Sequence, residues 1–262
     1  MTNGADELTD DAIAGDWRIL QRRRGHRYSL DDVATAWEAT LARPDARSCL
    51  DLGCGIGSVL LMVAYKLPHA RVVGLEAQKE SFDLAFENVT RNGIAGRTTL
   101  WLGDLRDRFA LERLPHAPFD LVTGTPPYFA PDAATPSPDP QRAAARVELR
   151  GGVEDYLRAA ALVLAPGGRF VVCAEARKPE RVLTTARDAE LAPLRQRDVI
   201  PRAEHKGALF TLWTLGHASE GGSLDVAPPL VARDATGART AASHSLRHHF
   251  DLPTNDLEPP SP

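Results

Sequence analysis

The chain's 262 residues carry 31 Lys and Arg against 35 Asp and Glu and are 43% hydrophobic. That is enough apolar material for one substantial core, without the basic surplus that usually marks a nucleic-acid binder. No apolar run approaches the roughly 20 residues that cross a bilayer, and Cys49, Cys54 and Cys173 have neither the number nor the spacing of a disulfide framework or a zinc site.

The cysteines read as buried thiols, and the composition predicts a soluble, cytoplasmic protein that holds no metal and has one domain with tails. Residues 1–16 are acidic and rich in small side chains; they lack the basic start and apolar core of a signal peptide and read as a disordered lead-in. Arg18, Arg22, Arg23, Arg24 and Arg27 then crowd together with His26, as either a solvated basic face or a phosphate-contacting patch. Ser29 opens a helical pattern with acids in its first turn, which runs through Trp37 to about Ala42 before Arg43 and Pro44 end it.

Strands and helices alternate from there. Ser48 to Leu52 is a strand, Ser58 to Leu67 a helix, Arg71 to Leu75 a strand and Lys79 to Asn92 a helix closed by Gly93. Thr98 to Leu102, Phe119 to Thr123 and Arg169 to Ala174 are further strands, with a helix from about Val153 to Leu164 between the last two. Ala208 to Leu215 reads as a late strand, paired antiparallel with another around Leu191 to Ile200. The alternation is that of an α/β protein with a doubly wound, mostly parallel sheet.

The first strand runs through Asp51 directly into Gly53, Gly55 and Gly57 and then into a helix. Glycine permits the sharp turn and lets a ligand approach the backbone, while the helix start presents free N–H groups. Glu76 closes the next strand, where such folds commonly grip a ribose. Spacing alone leaves NAD possible. Against a dinucleotide, Asp51 would repel a pyrophosphate but suit a cationic amino-acid group, and Asp104 after the third strand suits an adenine amino group.

DLGCGIGS, VVGLEA, LGDL and a Pro-Pro-Tyr turn, in this order, resemble the motifs of class I S-adenosylmethionine-dependent methyltransferases, specifically the amino-methylating members that carry Asn-Pro-Pro-Tyr. HRYSLDDVATAW, PPYF, and Ala145 to Glu148 followed by GGVEDYLRAAALVLAPGGRF are similar to the bacterial tRNA(Val) adenine-N6 methyltransferase family. The resemblance spans roughly residues 17–216. It implies a Rossmann-like, seven-stranded, mostly parallel sheet, S-adenosylmethionine as cofactor and RNA, most specifically tRNA, as partner. Carried over to this sequence, Asp51, Gly53 and Gly55 would border the methionine part of the cofactor, Glu76 the ribose, and Asp104 with Leu105 the adenine.

On the acceptor side the matching stretch is Thr125, Pro126, Pro127 and Tyr128. Methyl transfer to a ring amine asks for orientation more than for acid-base groups: the Pro126 carbonyl would take one amine proton, Tyr128 would stack on the base, and Phe129 would be a second wall. Thr125 departs from the family pattern, because its hydroxyl is shorter and more branched than a carboxamide. Three outcomes follow. Thr125 accepts the amine proton, with Gly124 letting the substrate sit deeper; or the acceptor is a different amine, on a small molecule or protein; or the chain binds cofactor and RNA with little turnover.

Residues 130–142 are rich in proline and small polar groups and read as a mobile loop over the site. Arg142, Arg146 and Arg150 follow it, and with Arg23 and Arg24 they would grip phosphates beside a splayed base; the competing account is a charge cluster of Glu148 with Arg146 or Arg150. Beyond Gly216, residues 217–262 read as an extension ending in a disordered tail. Within it, Leu230 to Arg233 and Ala238 to Thr240 flank a hairpin-like turn, and Ser243 to Phe250 form a short helix whose His244, His248 and His249 face solvent.

Overall fold

The computed structural model describes residues 7–129 and 139–253. An antiparallel hairpin of β1 (Leu8–Ala14) and β2 (Trp17–Arg22) opens the chain. α1 (Leu30–Ala42), β3 (Ser48–Leu52), α2 (Ser58–Lys66), β4 (Arg71–Glu76), α3 (Lys79–Arg91) and β5 (Thr98–Leu102) follow. Next come α4 (Arg108–Glu112), β6 (Phe119–Gly124), α5 (Pro140–Arg146), α6 (Val153–Val163), β7 (Leu164–Glu175), α7 (Pro179–Asp188), β8 (Leu191–Ile200) and β9 (Phe210–His217). The chain closes with β10 (Asp225–Val226), β11 (Leu230–Val231) and α8 (Ala241–His249).

The central strands run in the order β5-β4-β3-β6-β7-β9-β8. All neighbours pair parallel except β9, which is antiparallel to both β7 and β8. Strands buried on both faces read as near-continuous apolar runs, as Arg71-Val72-Val73-Gly74-Leu75 does. One face buries Leu60, Leu61, Val63, Leu121 and Phe210 under the hairpin and α1 to α3; the other buries Phe119, Val122, Leu157, Phe170 and Trp213 under α4, α6 and α7. Each such side chain contributes about 2–3 kcal/mol of hydrophobic stabilisation. The order of connection reverses between β3 and β6, so the carboxyl ends of β3, β4 and β6 open onto one crevice.

Two expectations about the ends are corrected. The lead-in is a strand from Leu8, held because Ile13 and Ala14 are fully buried; residues 1–6 lie outside the described residues. The extension is also built in: β10 and β11 add parallel to the edge of β8, and Leu230, Leu246 and Phe250 are buried. These strands extend the seven-stranded core to nine. The Asp234 to Gly237 turn forms, with its flanks touching through an Arg233 to Arg239 bridge, while Leu230 and Val231 pair with β8 instead of with residues 238–240. Of the segment read as a mobile loop, residues 130–138 lie outside the described residues, and Asp139 caps α5 by accepting from the Arg142 N–H.

The hairpin is tied to the glycine turn through one buried amide. Asn88 of α3 accepts from the Leu20 N–H at 2.7 Å and donates to the carbonyls of Leu20 and Ile56, each at 3.0 Å. Replacing Asn88 by Ala leaves these backbone groups unpaired, and we expect a loss of about 3 kcal/mol, seen as a lower urea midpoint at unchanged m-value. A loss below about 1 kcal/mol would show that the anchor contributes little.

Candidate active site

The crevice at the strand ends is lined by the glycine turn, by Glu76 to Gln78, and by Gly103, Asp104 and Leu105. Gly53 and Gly55 have φ of +61° and +56°, and the two differ in what they face. A Cβ on Gly53 would collide with the Tyr156 hydroxyl, whereas one on Gly55 would meet nothing within 4 Å. The open cradle above Gly55 is the space into which a ligand backs onto the chain.

Glu76 is 6% exposed, and its carboxylate accepts from the N–H of Gly55 at 2.9 Å and of Gln78 at 2.6 Å. Burial raises its pKa, and the two backbone donors pull it back. Asp104 stands at the far end of the cleft, its pKa lowered by the Arg106 guanidinium, which donates to both carboxylate oxygens. Leu105 adds an apolar wall.

Asp51 is not a lining residue. It lies beneath the turn at 3% exposure, accepting from the Thr123 hydroxyl at 2.8 Å and the Leu60 N–H at 3.2 Å. Its burial raises its pKa to about 7. The structure therefore gives Asp51 the task of fastening β3 to β6 and to the start of α2. The pairing explains why a carboxylate there need not face a ligand.

A second groove opens beside the first, and His26, Asp32, Thr125 and Ala145 line both. Pro127 faces the first and Pro126 the second. Tyr128, Phe129, Arg142 and Arg146 continue the second groove. Thr125 makes no side-chain hydrogen bond among the described residues. Tyr128 lines the groove and also packs into the core: its ring stacks with Phe210 at 6.3 Å, and its hydroxyl donates to Asp31 at 3.2 Å and Cys173 at 3.0 Å. Phe129 is 41% exposed, with the Arg146 guanidinium 5.8 Å from its ring centroid.

Several expected roles change here. Gly124 does not open space for a substrate, because the Tyr156 ring already fills the place of its missing side chain. Glu148 pairs with Arg181, at 2.7 Å, and with neither Arg146 nor Arg150; Arg150 instead reaches the Ala77 carbonyl. Most of the amino-terminal arginine cluster is engaged within the fold: Arg22 with Glu80 and Asp139, Arg23 with Glu7, Arg27 with Asp11 and Arg18 with Asp10. Arg23 borders the acceptor groove, and Arg24 lies outside its lining. All three cysteines are buried and free. No described group of His, Cys, Asp or Glu could hold a metal, and no described helix is long and apolar enough to cross a membrane.

Among the lining residues that sequence reasoning misses are Tyr156, His26 and Asp32. Tyr156 brings its hydroxyl against the Gly53 backbone from within an ordinary amphipathic helix, and nothing in the pattern sets it apart. His26 sits among the arginines in sequence, yet its burial lowers its pKa and favours a neutral ring. Asp32 passes for a capping acid, which it is, accepting from the Ser29 N–H at 2.8 Å, but its other oxygen accepts from Ser58 in the interior.

Burial, with Asp31 and Asp51 nearby, raises the Asp32 pKa to about 8. The native state then keeps a proton that the unfolded chain releases near its ordinary carboxylate range, as it does for Asp51. Stability from both groups is therefore fully present at acid pH and is lost as pH rises toward 8. Urea midpoints of the wild type should fall between about pH 5 and pH 8, and Asp32→Asn should flatten that fall. His26 and His249, whose pKa values are lowered, act in the opposite sense over this range, so the variant decides: an unchanged slope in Asp32→Asn would contradict the buried-acid account.

Comparison with known proteins places this cleft in a family. The methyltransferase small domain matches residues 27–186. A tRNA1(Val) (adenine(37)-N6)-methyltransferase from Flavobacterium johnsoniae is 30% identical over 195 residues, covering 73% of this chain and 80% of the relative. A release factor glutamine methyltransferase from Geobacter sulfurreducens is 35% identical over 142 residues, covering 52% of this chain and 48% of the relative. This chain thus spans about half the length, 48%, of several curated relatives it matches. Among solved structures, a predicted O-methyltransferase from Agrobacterium tumefaciens shares the fold with a TM-score of 0.65 at 18% identity, covering 87% of this chain and all of the other.

Proposed function

Because the chain belongs to the methyltransferase small-domain family, which draws its methyl group from S-adenosylmethionine, we propose that it methylates an exocyclic amine, adenine N6 of a tRNA. The observation that carries this reading is the meeting of two concavities at Thr125: one has the Gly55 cradle and Glu76, the other the Tyr128 and Phe129 rings with Arg142 and Arg146. A flat, aromatic, arginine-edged groove suits a splayed base with its phosphates.

The residues fit the cofactor. Gly55 would let its methionine part lie against the turn, with Gly53 beside it making room for the Tyr156 hydroxyl; Glu76 would take the ribose hydroxyls, and Asp104 with Leu105 the adenine. When bound, the cofactor supplies a methyl already activated on sulfur, so this chain's residues need only aim the acceptor and exclude water. The Pro126 carbonyl and the Thr125 hydroxyl would accept the two amine N–H groups, favouring a nitrogen whose lone pair points at the methyl. Tyr128, held by Asp31 and stacked on Phe210, would fix the plane of the base.

A second reading is supported by the Geobacter relative, whose name specifies a glutamine acceptor: transfer to an amine or amide on a protein or small molecule. A chain that binds cofactor and RNA with little turnover is the third. Tritium transfer to bulk tRNA and to soluble protein, by the wild type and Thr125→Asn, separates them. We expect label in RNA as N6-methyladenosine, at an unchanged or raised rate in the variant. Label in protein that the variant abolishes favours the second reading, and cofactor binding without label in either favours the third.

A further inference from the structure

Methylation of an amine leaves one proton to be placed. The nitrogen that has given its lone pair to the methyl carries positive charge until an N–H proton leaves, and a crevice that excludes water needs a group able to receive it. Among the described residues, His26, Asp32, Thr125 and Ala145 line both the cofactor crevice and the acceptor groove. A threonine hydroxyl, like the Pro126 carbonyl, accepts hydrogen bonds but holds no extra proton near neutral pH, and Ala145 has no polar side chain. Asp32 has both oxygens engaged, accepting from the Ser29 N–H at 2.8 Å and the Ser58 hydroxyl at 2.9 Å, and with its pKa raised to about 8 it keeps its own proton.

His26 differs from the other three. Its ring nitrogens make no hydrogen bond to a described residue, while its backbone is anchored: the His26 N–H donates to Gln141 Oε1 at 3.3 Å. Gln141 is buried and in turn donates to the Ser81 hydroxyl at 3.2 Å. Gly25 permits this approach, since a Cβ there would collide with the same Gln141 oxygen. Burial lowers the His26 pKa; Asp31 opposes that shift, and Arg146 and Arg142 reinforce it. Asp32, Arg23 and Arg27 are the other charged groups on the groove side, and Glu76, Asp104 and Arg150 line the crevice side. The ring is therefore neutral near pH 7, with one nitrogen able to accept a proton.

We propose that His26 takes the proton released by the acceptor amine, as a catalytic residue of this chain. The amine lone pair forms the new N–C bond as the C–S pair withdraws onto sulfur. One N–H bond then breaks, its electron pair staying on nitrogen and its proton passing to the His26 ring, which yields it to solvent after the product leaves. The proposal rests on the tRNA reading above, and its test keeps the two apart.

Tritium transfer from S-adenosylmethionine to bulk tRNA from cells lacking the gene is followed in single turnover for the wild type, His26→Ala and His26→Asn. Asn keeps a hydrogen-bonding side chain but cannot hold a proton, so it separates proton transfer from contact. Both variants should be slower by about 100-fold near pH 7.5. Calorimetry should give each an S-adenosylhomocysteine affinity within about threefold of the wild type, which also shows that it is folded. Added imidazole should restore the Ala variant at least about tenfold, in proportion to its neutral form, and leave the wild type unchanged. The wild-type rate should fall as pH drops below about 6.5, a limb absent from both variants, which keep Asp31, Asp32 and Glu76. Apart from turnover, the histidine-ring NMR signal missing from the Ala variant should report a neutral ring at about pH 7 with S-adenosylhomocysteine bound.

An Asn variant within about threefold of the wild type would reduce His26 to a hydrogen-bond contact and overturn the proposal. An Ala variant that imidazole does not restore, or a ring that NMR shows to be an imidazolium, would overturn it too. Each of these leaves methyl transfer to RNA standing. A wild type that binds S-adenosylhomocysteine but labels no tRNA would remove the RNA reading and this proposal with it.

Discussion

Replacing Glu76 by Ala should weaken S-adenosylhomocysteine binding by about 100-fold or more, read by calorimetry. Two contributions add. On the proposed reading the cofactor's ribose would lose the carboxylate that accepts its hydroxyls, and the Gly55 and Gln78 N–H groups would lose the acceptor that holds the glycine turn in place. Charge-assisted bonds of this kind are worth about 1.5–3 kcal/mol each, so the loss of even two reaches the range of 100-fold. Glu76→Gln keeps one oxygen acceptor but sets an amide against a donor, and an intermediate loss of about tenfold is expected. The variant must be compared at equal folded fraction, since the buried donors left unpaired also cost stability. Binding within about threefold of the wild type in the Ala variant would remove Glu76 from the cofactor site.

The second large effect belongs to Tyr128. Tyr128→Ala should lower kcat/KM for RNA methylation roughly 10- to 100-fold, the range that follows from losing one aromatic platform under a base, while S-adenosylhomocysteine affinity stays unchanged. Tyr128→Phe separates stacking from the hydroxyl's contacts with Asp31 and Cys173; it keeps the ring and should act within about threefold of the wild type. Because the ring also packs on Phe210, the Ala variant will unfold more easily, which is why the unchanged cofactor affinity is the decisive control. Equal losses in cofactor binding and in turnover would assign Tyr128 to packing alone.

What could be read from the chain follows from where its information is local. The strand and helix alternation was legible because each element carries its own period and stop signal, as with Pro68 after α2 and Gly93 after α3. The glycine turn and Glu76 were legible because their spacing is fixed by one strand-turn-helix unit and its neighbour. Asp51 was not, since the sequence cannot tell a carboxylate facing a ligand from one that receives Thr123 and Leu60 from the interior. Gly124 misled for a related reason: its open space is taken by Tyr156, distant in sequence.

The ends misled more. Leu8–Ala14 alternates weakly and looks polar, and only its pairing with β2 and packing on α2 make it a strand. The extension's two-residue strands are shorter than any periodic signal, and they exist because β8 leaves an edge to pair with. The amino-terminal arginines looked like a phosphate patch, yet most are ion-paired within the fold. Their partners are in part distant in sequence, as Glu80 and Asp139 are for Arg22, a juxtaposition no local pattern records.

The central claim is methyl transfer to adenine N6 in RNA, and nucleoside mass spectrometry of small RNA tests it most directly. RNA from cells lacking the gene, incubated with the purified chain and S-adenosylmethionine, should gain N6-methyladenosine at one position that RNA from the parent cells already carries. An unchanged nucleoside profile in both the deletion strain and the treated RNA, from a protein that binds S-adenosylhomocysteine, would contradict the RNA assignment.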